Sequence, residues 1–316
     1  MTDSGPGAAL LGPAAGGGPL DPLGASPAES GGSVTREAWQ RLRGNRVAIF
    51  GALLVLLFVL VALLAPLLAP YDPKDPVLRS QITPGNYPGL SAQHWLGVDR
   101  QGRDELSRII FGSRQSLLVG VVATSLGFAG GMLLGVLAGA FGGWLDSLLM
   151  RVVDVLLALP GLLLAITIAA VLGQSLTSIM LAIAVVQVPI FARLLRGSML
   201  AQRESDYVLA ARMVGVRRRR IVLGHVLPNS LSPVIVQATL SLATAIIDAA
   251  ALSFLGLSGT DPDVPEWGRM LADAQQDLVA APRLAFIPCI AIVIAALGFT
   301  LLGESLREAL DPKFRR

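Results

Sequence analysis

Residues Ser205 to Asn229 read SDYVLAARMVGVRRRRIVLGHVLPN and interrupt a chain otherwise built from long apolar runs. Within them Tyr207 to Val214 form eight residues that are apolar except for Arg212. A helix needs about 20 residues to cross a bilayer, so this segment stays outside the hydrocarbon. Beside it stand Arg217, Arg218, Arg219 and Arg220, and arginine clusters between spans mark the cytoplasmic side. A short apolar helix held in the cytosol has to cover its face, and a groove on a partner protein is the expected place. A helix lying flat on lipid is the alternative reading.

Composition agrees with a membrane setting. Of 316 residues, 53% are hydrophobic and 15% charged, with a mean hydropathy of +0.65; a soluble domain carries about 25% charge. The formal charge of +3 and pI near 9.5 come almost wholly from arginine, since Lys74 and Lys313 are the only lysines. So modest a net charge does not describe a nucleic-acid-binding protein. Cys289 is the sole cysteine and lies in an apolar run, so no internal disulfide is possible.

Outward from the loop, the apolar runs give an all-α, polytopic membrane protein with six spans. Val47 to Leu68 is charge-free and long enough to cross. A cleaved signal peptide would have an apolar run of only about 7–15 residues, so an anchor is expected. Gln115 to Trp144 is charge-free and carries Gly127, Gly131, Gly135, Gly139 and Gly143. That four-residue step lines one helix ridge with glycine and predicts a closely packed neighbouring helix. Val155 to Ala192 also lacks charge, and Gly173-Gln174-Ser175 splits it into two spans. Leu231 to Gly256 and Leu284 to Leu302 complete the set.

The remaining segments set organisation and orientation. Residues 1–33, rich in Gly, Pro, Ala and Ser, read as a disordered cytoplasmic tail. Arg36, Arg41, Arg43 and Arg46 with Trp39 suggest a short amphipathic helix on the inner membrane surface. Residues 34–113 then hold the first span and an extracytoplasmic insert, and 114–316 hold five spans with the loop at about 205–220. Basic residues collect before the first span, between the fourth and fifth, and after the sixth. Both termini are therefore expected in the cytoplasm.

The opening stretch resembles the cytoplasmic loop of bacterial ABC-importer permeases, whose motif is Glu-Ala-Ala, three residues, Gly, nine residues, then Ile-x-Leu-Pro. Ala210, Ala211, Gly215, Leu227 and Pro228 fall at those spacings, while Leu209 replaces the glutamate and His225 the isoleucine. Ser205 or Asp206 is placed to cap the helix. Gly215 is placed to end it in a left-handed turn, and Pro228 to set the turn back toward the membrane. Further matches are similar to the C-type permease of oligopeptide, dipeptide and nickel importers. They are His94 to Gly120 (HWLGVDRQGRDELSRIIFGSRQSLLVG), Leu252 to Leu257 (LSFLGL), Trp267-Gly268, Met270-Leu271, and Leu306 to Pro312 (LREALDP). Trp39 to Gly51 resembles that group's N-terminal region, so the likeness spans residues 36–316.

The resemblance implies the ABC importer (type I) permease fold and a coupling helix that docks in an ATPase subunit through Tyr207, Ala210, Ala211, Val214 and Gly215. Leu227 and Pro228 belong to the same motif. It also implies a homologous second permease subunit, two ATP-binding subunits that hold ATP and Mg, and an extracytoplasmic substrate-binding protein, all in the bacterial inner membrane or on it. The implied function is half of a translocation pathway for dipeptides or oligopeptides, with a nickel complex as the alternative cargo.

Sequence chemistry is compatible with transport rather than catalysis. Neither lysine stands in the Gly-Lys-Ser/Thr context of a phosphate loop, so ATP hydrolysis is expected on another polypeptide. His94 and His225 stand alone, without metal-ligand spacing. Asp248 is the ionisable group inside a span, where a carboxylate costs about 2.5–3.5 kcal/mol and turns toward protein or water. It reads either as a translocation-path residue or as a structural carboxylate bonded between helices. Gln187, near Pro189 in the fourth span, is a second path candidate, with a packing kink as the other reading. Asp261, Asp263, Glu266, Asp273 and Asp277 make an acidic loop that either meets the binding protein or forms a solvated face. A stand-alone secondary transporter would call for inverted repeats or several intramembrane carboxylates, and a membrane enzyme for a catalytic grouping.

Overall fold

A computed structural model describes residues 34–83, 87–259, 261 and 263–310. The tail at 1–33 and the end of the LREALDP motif, Asp311 and Pro312, lie outside the described residues. Among the described residues there is no strand, only isolated bridges such as Val98 to Asp104. With lipid unable to satisfy backbone groups, a spanning chain closes its hydrogen bonds within helices.

Helix α1 (Val34–Gly44) leads into α2 (Arg46–Leu63), whose start is capped by Asn45 Oδ1 accepting from Val47 N–H at 2.9 Å. The sequence expected this span to run to Leu68. It stops at Leu64 instead, because Pro66 opens a separate four-residue turn, α3 (Ala65–Leu68). An irregular segment then leads to α4 (Glu105–Phe141), which begins ten residues before the expected charge-free run. A domain boundary at 113/114 would therefore cut a continuous helix.

The glycine ridge of α4 meets α7 (Leu176–Arg203) over its length. A Cβ on Gly127 would come within 2.8 Å of the Gln187 Cβ, one on Gly135 within 2.9 Å of the Leu195 Cβ, and one on Gly139 within 3.0 Å of Met199 Sδ. Gly131 faces Phe191 in the same way. Four glycines on one helix thus match four residues at the same step on the other. Gly143 does not join them: it and Gly142 take left-handed φ values of +64° and +69° and turn the chain. A second close crossing, between α2 and α12 (Arg283–Leu310), uses Gly51 against the Leu302 backbone and Gly298 against the Leu54 Cβ.

The third span is broken. Helices α5 (Gly143–Ala158) and α6 (Gly161–Leu172) pass for one apolar crossing only together, and they bend by 95° between them. Pro160 offers no N–H and forces Leu159 into an extended conformation, with ψ 139°. Alone, α6 has 12 residues, about 18 Å, well short of a bilayer core of about 30 Å. Among the described residues, five long apolar helices plus this bent pair, taken as one span, match the expected six. α5 is tied along α7 by ion pairs of Arg196 with Asp146, at 2.5 and 2.7 Å, and of Arg193 with Asp154.

After α7 come the short α8 (Asp206–Met213) and then α9 (Arg218–Ile221), which continues through a wide turn into α10 (Leu227–Phe254). α11 (Trp267–Ala274) packs its Gly268 against Ala250 of α10. Trp267 is fully buried and donates from Nε1 to Ile109 O at 3.1 Å. The bundle so has two ends: a cap made of residues 70–104 with α11, and a loop end carrying α8.

Candidate functional site

At the loop end, Ser205 occupies the N-cap position of α8, but its hydroxyl donates to Gln202 O at 2.6 Å and no side chain caps the helix. The expected Ser205 or Asp206 cap is absent because that hydroxyl is turned back onto the preceding helix. The other end behaves as the spacing predicts. Gly215 has φ +76°, Val216 N–H reaches Ala211 O at 3.1 Å, and Gly215 N–H reaches Arg212 O at 3.0 Å. Those two bonds make a Schellman stop, which needs a residue free to adopt positive φ.

One side of α8 is anchored and the other is bare. Val208 is fully buried with Phe191, Leu195 and Met199, and Ala211 and Val216 pack on the same cluster. Facing away, Ala210 is exposed, Leu209 is 45% exposed, Met213 85% and Val214 81%. Tyr207 steadies the loop: its hydroxyl donates to Gln202 Oε1 at 2.8 Å and accepts from Asn229 Nδ2 at 3.2 Å. Leu209, where the motif has glutamate, takes no part in this polar set. Arg203 donates to Gly139 O at 3.0 Å and Arg218 to Ala140 O at 2.6 Å. These cations sit on the open carbonyls at the C-terminus of α4, where a positive charge is favoured.

Pro228 does not set the turn back toward the membrane; that turn lies at Gly215 to Arg217. Pro228 sits in the first turn of α10, inside a helical run from Arg218 to Phe254. The proline has no N–H to give, and the preceding turn widens so that Leu227 N–H bonds to Val222 O. Leu227 is half-buried against the cluster that holds Val208. His225, expected in a loop, is exposed on that wide turn with its ring 6.5 Å from Tyr207.

Gln187 and Asp248 are not brought together. Gln187 is 4% exposed, and its Nε2 donates to Ser241 O at 3.2 Å where α4, α7 and α10 meet. It therefore holds helices together and does not face an open path. Asp248 is half-buried on α10, and among the described residues no donor reaches its carboxylate. Among the described residues the structural alternative, a carboxylate bonded between helices, is not formed.

The cap holds a cluster that the sequence reading missed. His94 does not stand alone: its Nδ1 lies 2.8 Å from Asp104 Oδ1, and both are buried. Asp104 also accepts from Ser107 N–H at 2.8 Å, so it caps α4. Arg103 donates to Asp99 at 2.7 Å, and Arg283 donates to the Leu96, Pro88 and Val98 carbonyls at 2.8 to 3.1 Å. Nor is the acidic loop wholly a solvated face, although Asp261 and Asp263 are exposed. Glu266 is 2% exposed and caps α11 through Gly268 and Arg269 N–H; Asp277 accepts from Tyr87 Oη at 2.8 Å and pairs with Arg100. Burial pushes the Glu266 and Asp273 carboxyls above their usual range, against the pull of neighbouring N–H groups and arginines. Glu105 Oε1 and Arg108 Nη2 are buried without partners among the described residues, beside a cavity of about 20 Å³, the size one water needs. Sequence spacing gave no clue to the long-range pairs, whose members lie up to 195 residues apart. No group of three or more potential metal ligands occurs among the described residues.

A helical membrane bundle with a bare apolar helix between its fourth and fifth spans has the fold of an ABC-importer permease. Among solved structures it matches a chain of the inward-facing MetNI methionine ABC transporter, with TM-score 0.53 and 19% identity over 65% of this chain and 96% of that one. Residues 131–316 match the family described as binding-protein-dependent transport system inner membrane component, and residues 33–88 match the N-terminal TM domain of oligopeptide transport permease C. The dipeptide transport system permease protein DppC of Alkalihalophilus pseudofirmus is 45% identical, covering 90% of this chain and 91% of the relative. The glutathione transport system permease protein GsiD of Pectobacterium atrosepticum is 42% identical, over 89% and 91%, and that of Escherichia coli 45%, over 88% and 90%. This chain belongs to the family of inner-membrane permease components of binding-protein-dependent ABC importers. It is a multi-pass membrane component of a binding-protein-dependent transport system.

Proposed function

We propose that the chain forms half of a peptide-translocating pathway and that α8 is the handle gripped by an ATPase subunit. The names of its relatives, a dipeptide and two glutathione permeases, support a peptide cargo. In this reading the loop end is cytoplasmic, with Arg217 to Arg220 and Arg41, Arg43 and Arg46 on that side, and both termini are inside. A homologous second permease subunit supplies the other half of the path. Two ATP-binding subunits hold ATP and Mg and carry out hydrolysis, and a binding protein delivers cargo to the cap.

The observation that carries this reading is the bare apolar surface of α8. Exposed apolar groups on a short helix in water are stabilised by a partner's groove. Tyr207, Ala210, Ala211, Val214 and Gly215 form the handle, with Leu227 and Pro228 at its junction with α10. Closure of the ATPase subunits draws α8 with it, and the 37-residue run from Arg218 to Phe254 carries the displacement across the membrane toward the cap.

Met213→Asp and Val214→Asp test the docking role, because both side chains are exposed and neither is needed to hold the fold. Each is expected to lower uptake in reconstituted vesicles by about tenfold or more, the effect of placing a charge in an apolar contact. Membrane insertion should be unchanged, and ATPase subunits should be lost on purification. Wild-type uptake by both variants would contradict the proposal.

A further inference from the structure

Along α10, Gln237, Ser241, Thr244 and Asp248 recur at steps of four, three and four residues, so they share one helix face. The faces beside it are occupied. Ala245, Ala249 and Leu252 pack with α6 and α7, and Ala243 and Ala250 pack in the cluster that includes α12. Three members of the stripe satisfy each other: Gln237 Nε2 donates to Ser241 Oγ at 3.3 Å, and Thr244 Oγ1 donates to Ser241 O at 3.1 Å. Asp248 is the exception, half-buried and without a donor among the described residues. It lies six residues before the end of α10 at Phe254, about 9 Å along the axis, one short step below the contact of Ala250 with Gly268 in the cap.

An ionised carboxylate accepts hydrogen bonds only, so whatever completes Asp248 must be a donor, and inside a span it must not be lipid. An ammonium group offers three donors and the opposite charge. Dipeptides and glutathione, the cargoes named for the relatives, share a free α-ammonium group. We propose that Asp248 binds the cargo's ammonium group where cargo passes from the cap into the membrane path, so that the permease itself selects for ammonium-bearing peptides. The inference rests on the peptide-import reading above. A cation of the second permease subunit in the ammonium's place would make Asp248 an assembly residue instead.

The test uses the complete transporter in vesicles, with saturating binding protein and labelled L-alanyl-L-alanine as probe. For Asp248→Asn, uptake per ATP hydrolysed should fall about tenfold, the scale of a lost charge-assisted hydrogen bond. Binding-protein-stimulated ATP hydrolysis and recovery of the second permease should stay at wild-type levels, and Asp248→Glu should restore uptake to within about threefold. A purely structural carboxylate would not change the uptake-to-ATP ratio alone. Equal ratios for wild type and Asp248→Asn would overturn the inference, as would loss of the second permease from the variant complex. If the wild type itself moves no dipeptide while still hydrolysing ATP, the peptide-import reading fails and the inference falls with it.

Discussion

Asp104 and Ser205 each precede a helix, one at the cap end and the other at the loop end, and they treat those helices differently. Asp104 is fully buried, caps α4, and bonds His94 and Ser107. Ser205 turns its hydroxyl to Gln202 and leaves α8 without a side-chain cap. The same contrast runs through both regions. Charged side chains in the cap are mostly paired within the chain and Arg283 pins its loop to α12. α8 rests on Val208 and presents Met213 and Val214 bare. A region that pairs most of its own polar groups can move as one body, whereas a helix that leaves its apolar face uncovered offers that face to a partner surface or to lipid.

The largest expected effect comes from breaking the cap. Asp104→Ala should lower stability in detergent by about 3–5 kcal/mol, because it strips a buried cluster of its carboxylate. Ser205→Ala should stay within about 0.5 kcal/mol, since no cap bond is lost. Denaturant unfolding of both variants measures the contrast directly, and similar losses for the two would erase it.

A smaller effect is expected where the two regions are joined. Gly135→Leu on α4 pushes a side chain into the Leu195 Cβ and the Ala192 carbonyl, at 2.9 and 3.0 Å from the added Cβ. The cost should be about 1–3 kcal/mol, read as a lower unfolding midpoint. Gly143→Ala, off the ridge, meets no side chain and should fail only through its positive φ.

The smallest effect is that of pH on the cap. The folded-state pKa values of Glu266 and Asp273 are raised, chiefly by burial, so folding favours their protonated forms. Their contribution to stability is then largest at acid pH and is lost as pH rises through the folded-state pKa values. Hydrogen exchange of α11 should slow as pH is lowered from neutral toward the ordinary carboxylate range, after correction for intrinsic exchange. Glu266→Gln should flatten that dependence. Faster corrected exchange on acidification would reverse the sign and contradict the burial argument.

Most of the loop end was legible because its signals are local. The length of α8, the stop at Gly215 and the four-residue glycine step all lie within single helices, where period and spacing are direct consequences of backbone geometry. The break at Pro160 was present in the sequence, but an unbroken apolar run concealed it. Pro228 misled for a related reason: a widened turn absorbs its missing N–H, so the helix continues. The cap was illegible where its pairs join distant residues, such as Tyr87 with Asp277 and Arg283 with Pro88. Acids that look like a solvated run become caps and ion-pair partners only once α11 and α12 fold against residues 70–104. Asp248 was visible as an intramembrane charge, while its lack of a donor among the described residues could be seen only with the helices assembled.

The central claim is that the bare face of α8 is covered by an ATPase subunit. A photoreactive amino acid at position Met213, irradiated in the assembled transporter during ATP turnover, tests it most directly. The account predicts adducts with the ATP-binding subunit; adducts with phospholipid alone would contradict it.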